Sequence, residues 1–533
     1  MTSPAAVPRI LIRGGRVYDH EGDVHQPAKL DILIAGETIE RLGQNLPADP
    51  GTQIIDAAGK LVVPGFINTH YHSHDVLAKG LFEEMTFDIW TLHSNPSYYG
   101  PRSLEEVRLR TLVGAAEQLR NGITTVQDFL TVEPQDEAVV DTVLSAYEEA
   151  GIRVVFAIAA RDRAALDIAP FIPADVPEPI RKRLAGSDRK AKDELDFVAA
   201  QIRRLGLRPT SRQSWALAPS APQRCSPELL EGIAALSRAH DLAVFTHVCE
   251  TRVQAAAARQ QLPVSSLIDV LASAGLLSEK LGVVHGVWLA ARDIAQIAEA
   301  GSCIVHNPVS NLKLKSGVAP ILEFRRAGVD VALGCDNYSA SETQNIFIAM
   351  RLMCLLAAVS DPEPGLLDAA FALRWATLTG ARAVGLSNAV GAIRAGMLAE
   401  SRDPRPRSAR IRPIQQRRAA DRLFGVRKGG RNRAGRRASR RPRRQARHGG
   451  RGGAGGGSRG DRAGLPPGCA SPGRPPRRSH RAAPPRQPQS LGCAARIRPL
   501  HRPLRLLKGA IALWRRRATR FEATQSRDCV LRL

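Results

Sequence analysis

The sequence predicts an α/β protein: a closed (β/α)8 TIM-type barrel, a small β-sandwich begun by the N-terminal strands, and a disordered basic tail. Three observations predict it. Eight apolar runs alternate with helical stretches between residues 62 and 385. Short strand-like segments with glycine-rich turns fill residues 9–63. The composition changes abruptly at residue 400, where Arg, Pro, Gly and Ala take over.

In chain order, Ile10–Tyr18, Lys29–Ile34, Thr38–Leu42, Gln53–Asp56 and Leu61–Val63 read as strands. Gly14-Gly15, Gly36-Glu37 and Ala58-Gly59-Lys60 supply turns between them. Residues 1–61 are therefore expected to form the first part of a composite sandwich, and residues 386–399 to begin the return to it. The barrel, 62–385, takes its strands from 62–69, Ile123–Phe129, Ile152–Ala159, Trp215–Ala218, Leu242–Thr246, Leu281–Val284, Cys303–Val305 and Val329–Leu333. These are near-continuous Val/Ile/Leu runs, the pattern of a parallel sheet buried on both faces. Helical stretches such as Leu104–Arg120, Glu137–Ala150, Pro227–His240 and Ala291–Ala300 separate them. Eight such units close a barrel better than they build an open sheet. A Pro-rich stretch from Asp167 to Lys190 is expected to loop over the barrel mouth.

The formal charge of +25 is unevenly placed. Residues 401–533 hold 38 of the 76 basic and 5 of the 51 acidic side chains, a net of +33 against −8 for residues 1–400. The two parts need separate explanations. Eight scattered cysteines include no Cys-x-x-Cys pair, which argues against a disulfide scaffold or thiolate zinc site and suits a reducing cytoplasm. The N-terminus lacks a charged start followed by an apolar stretch, and no run approaches a membrane span. A cytoplasmic protein with no membrane partner is expected.

The chemistry gathers at strand ends. Residues two apart on a strand share a face, so His70 and His72 leave the first barrel strand side by side. His247 ends the fifth strand, His285 the sixth and Asp336 the eighth. Barrel chemistry sits on that rim, and packing alone gives no reason for four histidines and an aspartate there. Neutral imidazole and carboxylate together hold a divalent cation, zinc first and ferrous iron second.

The motifs Pro-Gly-Phe-Ile-Asn-Thr-His-Tyr-His, Thr-His-Val-Cys-Glu-Thr, Val-Val-His-Gly-Val-Trp-Leu, His-Asn-Pro-Val-Ser-Asn-Leu-Lys-Leu and Leu-Gly-Cys-Asp-Asn resemble those of the amidohydrolase superfamily. The branch they resemble holds methylthioadenosine/S-adenosylhomocysteine deaminases, guanine deaminases and triazine hydrolases, over about residues 9–399. The resemblance implies one metal held by His70, His72, His247 and Asp336. It implies that Glu250 relays protons, that His285 steadies the attacked group, and that Asp336 serves as a second base. The fourth strand, Ser-Trp-Ala-Leu-Ala-Pro, offers no lysine for a second metal. The activity implied is hydrolysis of a carbon–nitrogen bond outside peptides: hydrolytic deamination of a nitrogen heterocycle, with dechlorination or amide hydrolysis of a related ring as the alternative. Trp90, Glu250, His285, His306 and Asn307 are the expected substrate contacts. His74 is expected to face solvent or to support the ligands, and Cys249 and Cys335 to pack. The expected partner is a small heterocyclic substrate, taken by a single chain or a homo-oligomer.

After Ala399 the resemblance stops. The family continues Gly-Met-Leu-Ala with Asp-Leu-Val-Ile-Leu-Asp, a sandwich strand; here Glu400-Ser401-Arg402-Asp403 follows. One permitted set of codons for Ala399–Arg405, with one A removed, reads Ala-Asp-Leu-Val-Ile-Leu. A one-nucleotide frameshift at codon 400 is therefore expected, leaving 400–533 without a core and Ile10, Ile12, Val17, Ile32, Ile34, Ile54 and Ile55 facing solvent. The alternative of another class is a nucleic-acid-binding arm. Against it, Phe424, Trp514 and Phe521 are the tail's only aromatic residues for base stacking.

Overall fold

A computed structural model describes residues 7–94, 102–163, 177–179, 189–261, 266–361 and 367–400. The expectations for the Pro-rich stretch and for the tail fall outside these residues, apart from 177–179, 189–190 and Glu400.

The N-terminal sheet contains β1 (Arg9–Val17), β2 (Lys29–Ala35), β3 (Thr38–Gly43), β4 (Gln53–Asp56) and β5 (Leu61–Val62). Its order is β3-β2-β1-β4, with β5 pairing the far end of β1. β2 runs antiparallel to both β1 and β3, and β4 and β5 run parallel to β1. The isoleucines expected in solvent are mostly inside. Ile10, Ile12, Val17, Ile32 and Ile34 are buried and pack with Ile39, Ala57, Val62, Ile393 and Ala399. Ile54 is half exposed. The correction has a simple cause: residues 396–399 return along the free edge of β3. Ile39 N–H donates to the Met397 carbonyl at 2.8 Å, Gly396 N–H to that of Ile39 at 2.8 Å, and Ala399 N–H to that of Glu37 at 2.8 Å.

The barrel strands are β6 (Phe66–Tyr71), β7 (Ile123–Leu130), β8 (Arg153–Ala160), β9 (Gln213–Trp215), β10 (Ala218–Pro219), β11 (Val244–Val248), β12 (Leu281–His285), β13 (Cys303–His306) and β14 (Asp330–Leu333). All pair in parallel: β6-β7-β8 with β9 and β10 on β8, then β11-β12-β13-β14. Two differences from the expected strands stand out. Pro64-Gly65 divides the first run, so Leu61–Val62 belong to the N-terminal sheet and the barrel strand starts at Phe66. The fourth strand is two short pieces, β9 and β10, and the second ends at Pro219, which has no N–H to extend a ladder. A parallel bridge from Leu217 to Val244 joins the halves on one side. On the other, the Cys335 and Asp336 N–H groups donate to the His70 carbonyl at 3.2 and 2.9 Å. Every residue of β6 and β7 is buried, as a strand covered on both faces must be.

The helices follow their sequence signals. Leu104–Arg120 starts at Ser103, whose hydroxyl accepts the Glu106 N–H, and Glu137–Ala150 ends at Gly151 in the left-handed conformation. Among the described residues no helix is long and apolar enough to cross a membrane.

Candidate metal and catalytic site

The closure of the barrel builds the site. Asn68, between the two strands being joined, accepts the Cys335 N–H at 2.9 Å through Oδ1. Its Nδ2 donates to Gln118 at 3.0 Å and Gln344 at 2.9 Å, and Gln344 Nε2 donates to the Asp336 carbonyl at 2.8 Å. This buried amide network fixes Asp336 against His70. Gly334 allows the approach: a Cβ there would lie 2.2 Å from Asn307 Oδ1 and 2.8 Å from His70 Cβ.

Asp336 Oδ1 lies 3.6 Å from His70 Nε2 and 3.4 Å from His72 Nε2. Ligand atoms of His70, His72 and His247 all lie within 4.8 Å of one another, as do those of His70, His285 and Asp336. The outer nitrogens are taken: His72 Nδ1 donates to the Phe129 carbonyl at 2.7 Å, and His247 Nδ1 to that of Ser220 at 2.6 Å. A carbonyl can only accept, so Nε2 of each ring carries the lone pair a cation needs. Neither nitrogen of the fully buried His70 has a partner. Such an orphan is costly unless something binds there, and a divalent cation fits. Burial, then the neighbouring imidazoles, pushes His70 well below the usual histidine range and His247 down to about 3. Burial would raise Asp336, but His285 and His72 outweigh it and hold the carboxyl below its usual range. Neutral imidazoles with an ionised carboxylate are the ligating forms.

Glu250 lies beside this group, fully buried. Its Oε2 has no hydrogen-bond partner and is 3.6 Å from His285 Nε2; its Oε1 accepts from Ser316 Oγ at 3.4 Å. Burial, reinforced by Asp336, pushes the carboxyl well above the ordinary range. His285 Nε2 also faces Asp336 Oδ2 at 3.8 Å, while Nδ1 meets Asn311 Oδ1 at 2.8 Å. Cys249, His285 and Asp336 all have positive φ (48°, 72° and 62°), so the chain turns sharply as these strands end.

His70, His72, His247, Glu250, His285 and Asp336 thus converge. The expected substrate contacts are placed less uniformly. His306 is buried with both ring nitrogens unpartnered, and burial lowers it to about 3. Asn307 is buried with Oδ1 unpartnered, 2.2 Å from where a Cβ on Gly334 would lie. Trp90 is buried with Leu314 and Ala340, and its Nε1 donates to Ser339 Oγ at 3.1 Å. Cys249 and Cys335 are buried. His74 is half buried, its ring 5.2 Å from that of His72.

Several positioning groups were missed. Asp75 accepts from Tyr338 N, Ser339 N and Ser339 Oγ, all within 3.0 Å, and so ties the turn after β6 to the turn after Asp336. Asp128 does the same for Ser73 N and Tyr147 Oη at 3.0 and 2.8 Å. Asn68 and Asn311 lie inside motifs already singled out and were available to notice. Ser316 carries no signal in the sequence.

Comparison with known proteins gives the site its context. The amidohydrolase family model matches residues 61–400. A 5-methylthioadenosine/S-adenosylhomocysteine deaminase from Pyrococcus abyssi is 31% identical over 424 residues, covering 79% of this chain and 90% of that protein. A 5'-deoxyadenosine deaminase from Methanosphaera stadtmanae is 30% identical, covering 70% and 80%. Among solved structures, a zinc-bound adenosine deaminase from Xanthomonas campestris superposes with a TM-score of 0.62 at 26% identity, covering 74% of this chain and 86% of that one.

Proposed function

From the premise that the chain belongs to the amidohydrolase family and is a metal-dependent hydrolase, we propose that it deaminates a nitrogen heterocycle hydrolytically. A 6-aminopurine nucleoside altered at its 5' position is the first substrate to test, because the relatives named above carry deaminase names of that kind. The observation that carries the proposal is Glu250: a fully buried carboxyl, pushed above the ordinary range by burial, with one oxygen unpartnered and 3.6 Å from His285 Nε2 beside Asp336.

His70, His72, His247 and Asp336 would hold the metal, zinc or ferrous iron by their donor chemistry. When bound, it would supply a water acidified enough to attack near neutral pH. Deamination then needs two proton deliveries, one to the ring nitrogen and one to the departing amine. Glu250 would give its proton to the ring nitrogen as the ring carbon is attacked. As a carboxylate it would take one proton of the attacking water and pass it to the leaving nitrogen; as ammonia departs and the new C–O bond becomes a carbonyl, the oxygen's remaining proton would return to Glu250 and restore it for the next turn. His285, beside both carboxyl groups, would orient the attacked position. Asp336 touches the same space and would serve as a second base.

Ammonia release by zinc-loaded protein of verified metal content is the test. The panel should hold adenosine, 5'-deoxy- and 5'-thio-substituted adenosines, guanine, pyrimidines and aminotriazines. Turnover of at least one aminopurine is expected. Metal-replete protein that releases ammonia from none of them overturns the proposal.

A further inference from the structure

Asn311 lies in the short helix Pro308–Lys313 and is 1% exposed, as is His285. Its Oδ1 meets His285 Nδ1 at 2.8 Å. With the amide oxygen so placed it accepts and Nδ1 carries the hydrogen, while Nδ2 of the same amide is buried without a partner. A neutral imidazole has one N–H, which leaves the lone pair on Nε2. That nitrogen is the one facing Glu250 Oε2 and Asp336 Oδ2 at 3.6 and 3.8 Å. The main chain of Asn311 reaches the other side of the site. Its carbonyl accepts from Ser316 N at 2.8 Å and Gly317 N at 3.4 Å. Trp288 Nε1 donates to the Ser316 carbonyl at 2.7 Å, and Ser316 Oγ donates to Glu250 Oε1 at 3.4 Å. Gly317 belongs to the same arrangement: a Cβ there would come within 3.1 Å of the Trp288 ring.

We propose that Asn311 is a positioning residue: its side chain fixes the tautomer of His285 so that a bare Nε2 faces Glu250 and Asp336, while its carbonyl seats the Ser316 hydroxyl on Glu250. One residue thereby sets the hydrogen-bonding faces of the two groups that border the substrate. The side-chain half separates from the backbone half under mutation, because a substitution removes Oδ1 and keeps the carbonyl. The competing arrangement turns the amide over, puts Nδ2 against Nδ1, and places the His285 hydrogen on Nε2.

The kinetic arm of the test rests on the proposed deamination; the spectroscopic arm does not. In zinc-loaded protein labelled with 15N-histidine, the His285 signals are those lost in His285→Gln. Their two-bond couplings to the ring protons report which nitrogen is protonated. The expected parent spectrum shows Nδ1–H and a bare Nε2. Asn311→Asp, which keeps an acceptor, retains that tautomer; Asn311→Leu loses it. With a turned-over substrate, kcat for Asn311→Leu falls about 10–100-fold at nearly unchanged KM and zinc content, the range for losing a supporting contact, and Asn311→Asp recovers most of it. A hydrogen on Nε2 in the parent, or an unchanged tautomer in Asn311→Leu, overturns the proposal. So does a changed tautomer with unchanged kcat. If Asn311→Leu does not fold, the parent spectrum and Asn311→Ser decide the same question. If no substrate is found, the deamination fails while the tautomer is still measured.

Discussion

Gly334→Ala should damage metal binding although residue 334 ligates nothing. The added methyl would lie 2.2 Å from Asn307 Oδ1, 2.8 Å from His70 Cβ and 3.1 Å from the His70 nitrogen. The Asn307 amide can swing aside. The His70 backbone cannot, because its carbonyl accepts both Cys335 and Asp336 N–H and the adjacent Thr69 hydroxyl donates to the Leu333 carbonyl at 2.7 Å. Carbon atoms prefer roughly 3.5–4.0 Å, so His70 Cβ would have to retreat by about 0.7 Å or more. Metal–ligand distances tolerate only about 0.2 Å. Overpacking a core costs about 1–3 kcal/mol, and here the strain falls on a proposed ligand. The expected result is a zinc affinity lowered about 10–100-fold, close to 1.4 kcal/mol per decade. Competition against a chromophoric chelator measures it, with thermal unfolding of the metal-free protein run beside it. An affinity within about threefold of the parent, in a variant that still folds, would refute the claim that closeness at Gly334 sets the position of His70.

Three further outcomes follow from named contacts. Glu250→Gln keeps the shape of the side chain but cannot relay a proton; zinc content should hold while kcat drops about 10²–10⁴-fold, and full activity would shift the proton-relay role to Asp336. Asn68→Leu removes the donor shared by Gln118 and Gln344 and leaves two buried acceptors unpaired. At about 1–3 kcal/mol each this costs about 2–6 kcal/mol in a denaturant titration, and a loss below about 1 kcal/mol would show that the network merely fills space. His20, half buried and hydrogen-bonded to Thr377 at 3.0 Å, is lowered to about 4 by burial and then Arg374. Because its folded value lies below the unfolded 6.5, its contribution is complete above pH 6.5 and is lost as pH falls towards 4. At 1.36 kcal/mol per unit that is about 3 kcal/mol. His20→Gln should flatten the stability curve across that window; parallel curves for the two proteins would rule the contribution out.

What could be read in the sequence, and what could not, divides along physical lines. The barrel strands and their helices were legible because burial on both faces leaves unbroken Val/Ile/Leu runs, and because Ser103 and Gly151 mark helix ends chemically. The convergence of His70, His72, His247, His285 and Asp336 was legible too, since a closed barrel brings strand ends to one rim. The contacts that arrange them were not. Asn311 reaches His285 across 26 positions, and Asn68 reaches Gln344 across 276. No local pattern encodes such pairs. The N-terminal sheet shows the opposite failure: its isoleucines were expected to face solvent, yet residues 386–399, expected only to begin the return to the sandwich, bring Ile393 and Ala399 into its core.

Several unfavourable features of the molecule lie where the chemistry is proposed. At the ligand rim, Cys249, His285 and Asp336 have positive φ without being glycine, and His70, His306 and Glu250 bury polar atoms without partners. Features of this kind cost of order 1–3 kcal/mol each and persist only where the surroundings enforce them. At the opposite end Glu400 is matched, although the neighbouring Thr124 Oγ1 is buried without a partner. Glu400 is buried against Gly65 and accepts from Arg153 Nε at 3.0 Å and Thr125 Oγ1 at 3.1 Å, at the starts of β8 and β7. A cation binding the folded state alone would relieve the rim, and its binding free energy would add directly to stability. The strained rim therefore argues that the site is a bound-state geometry held open by the rest of the barrel.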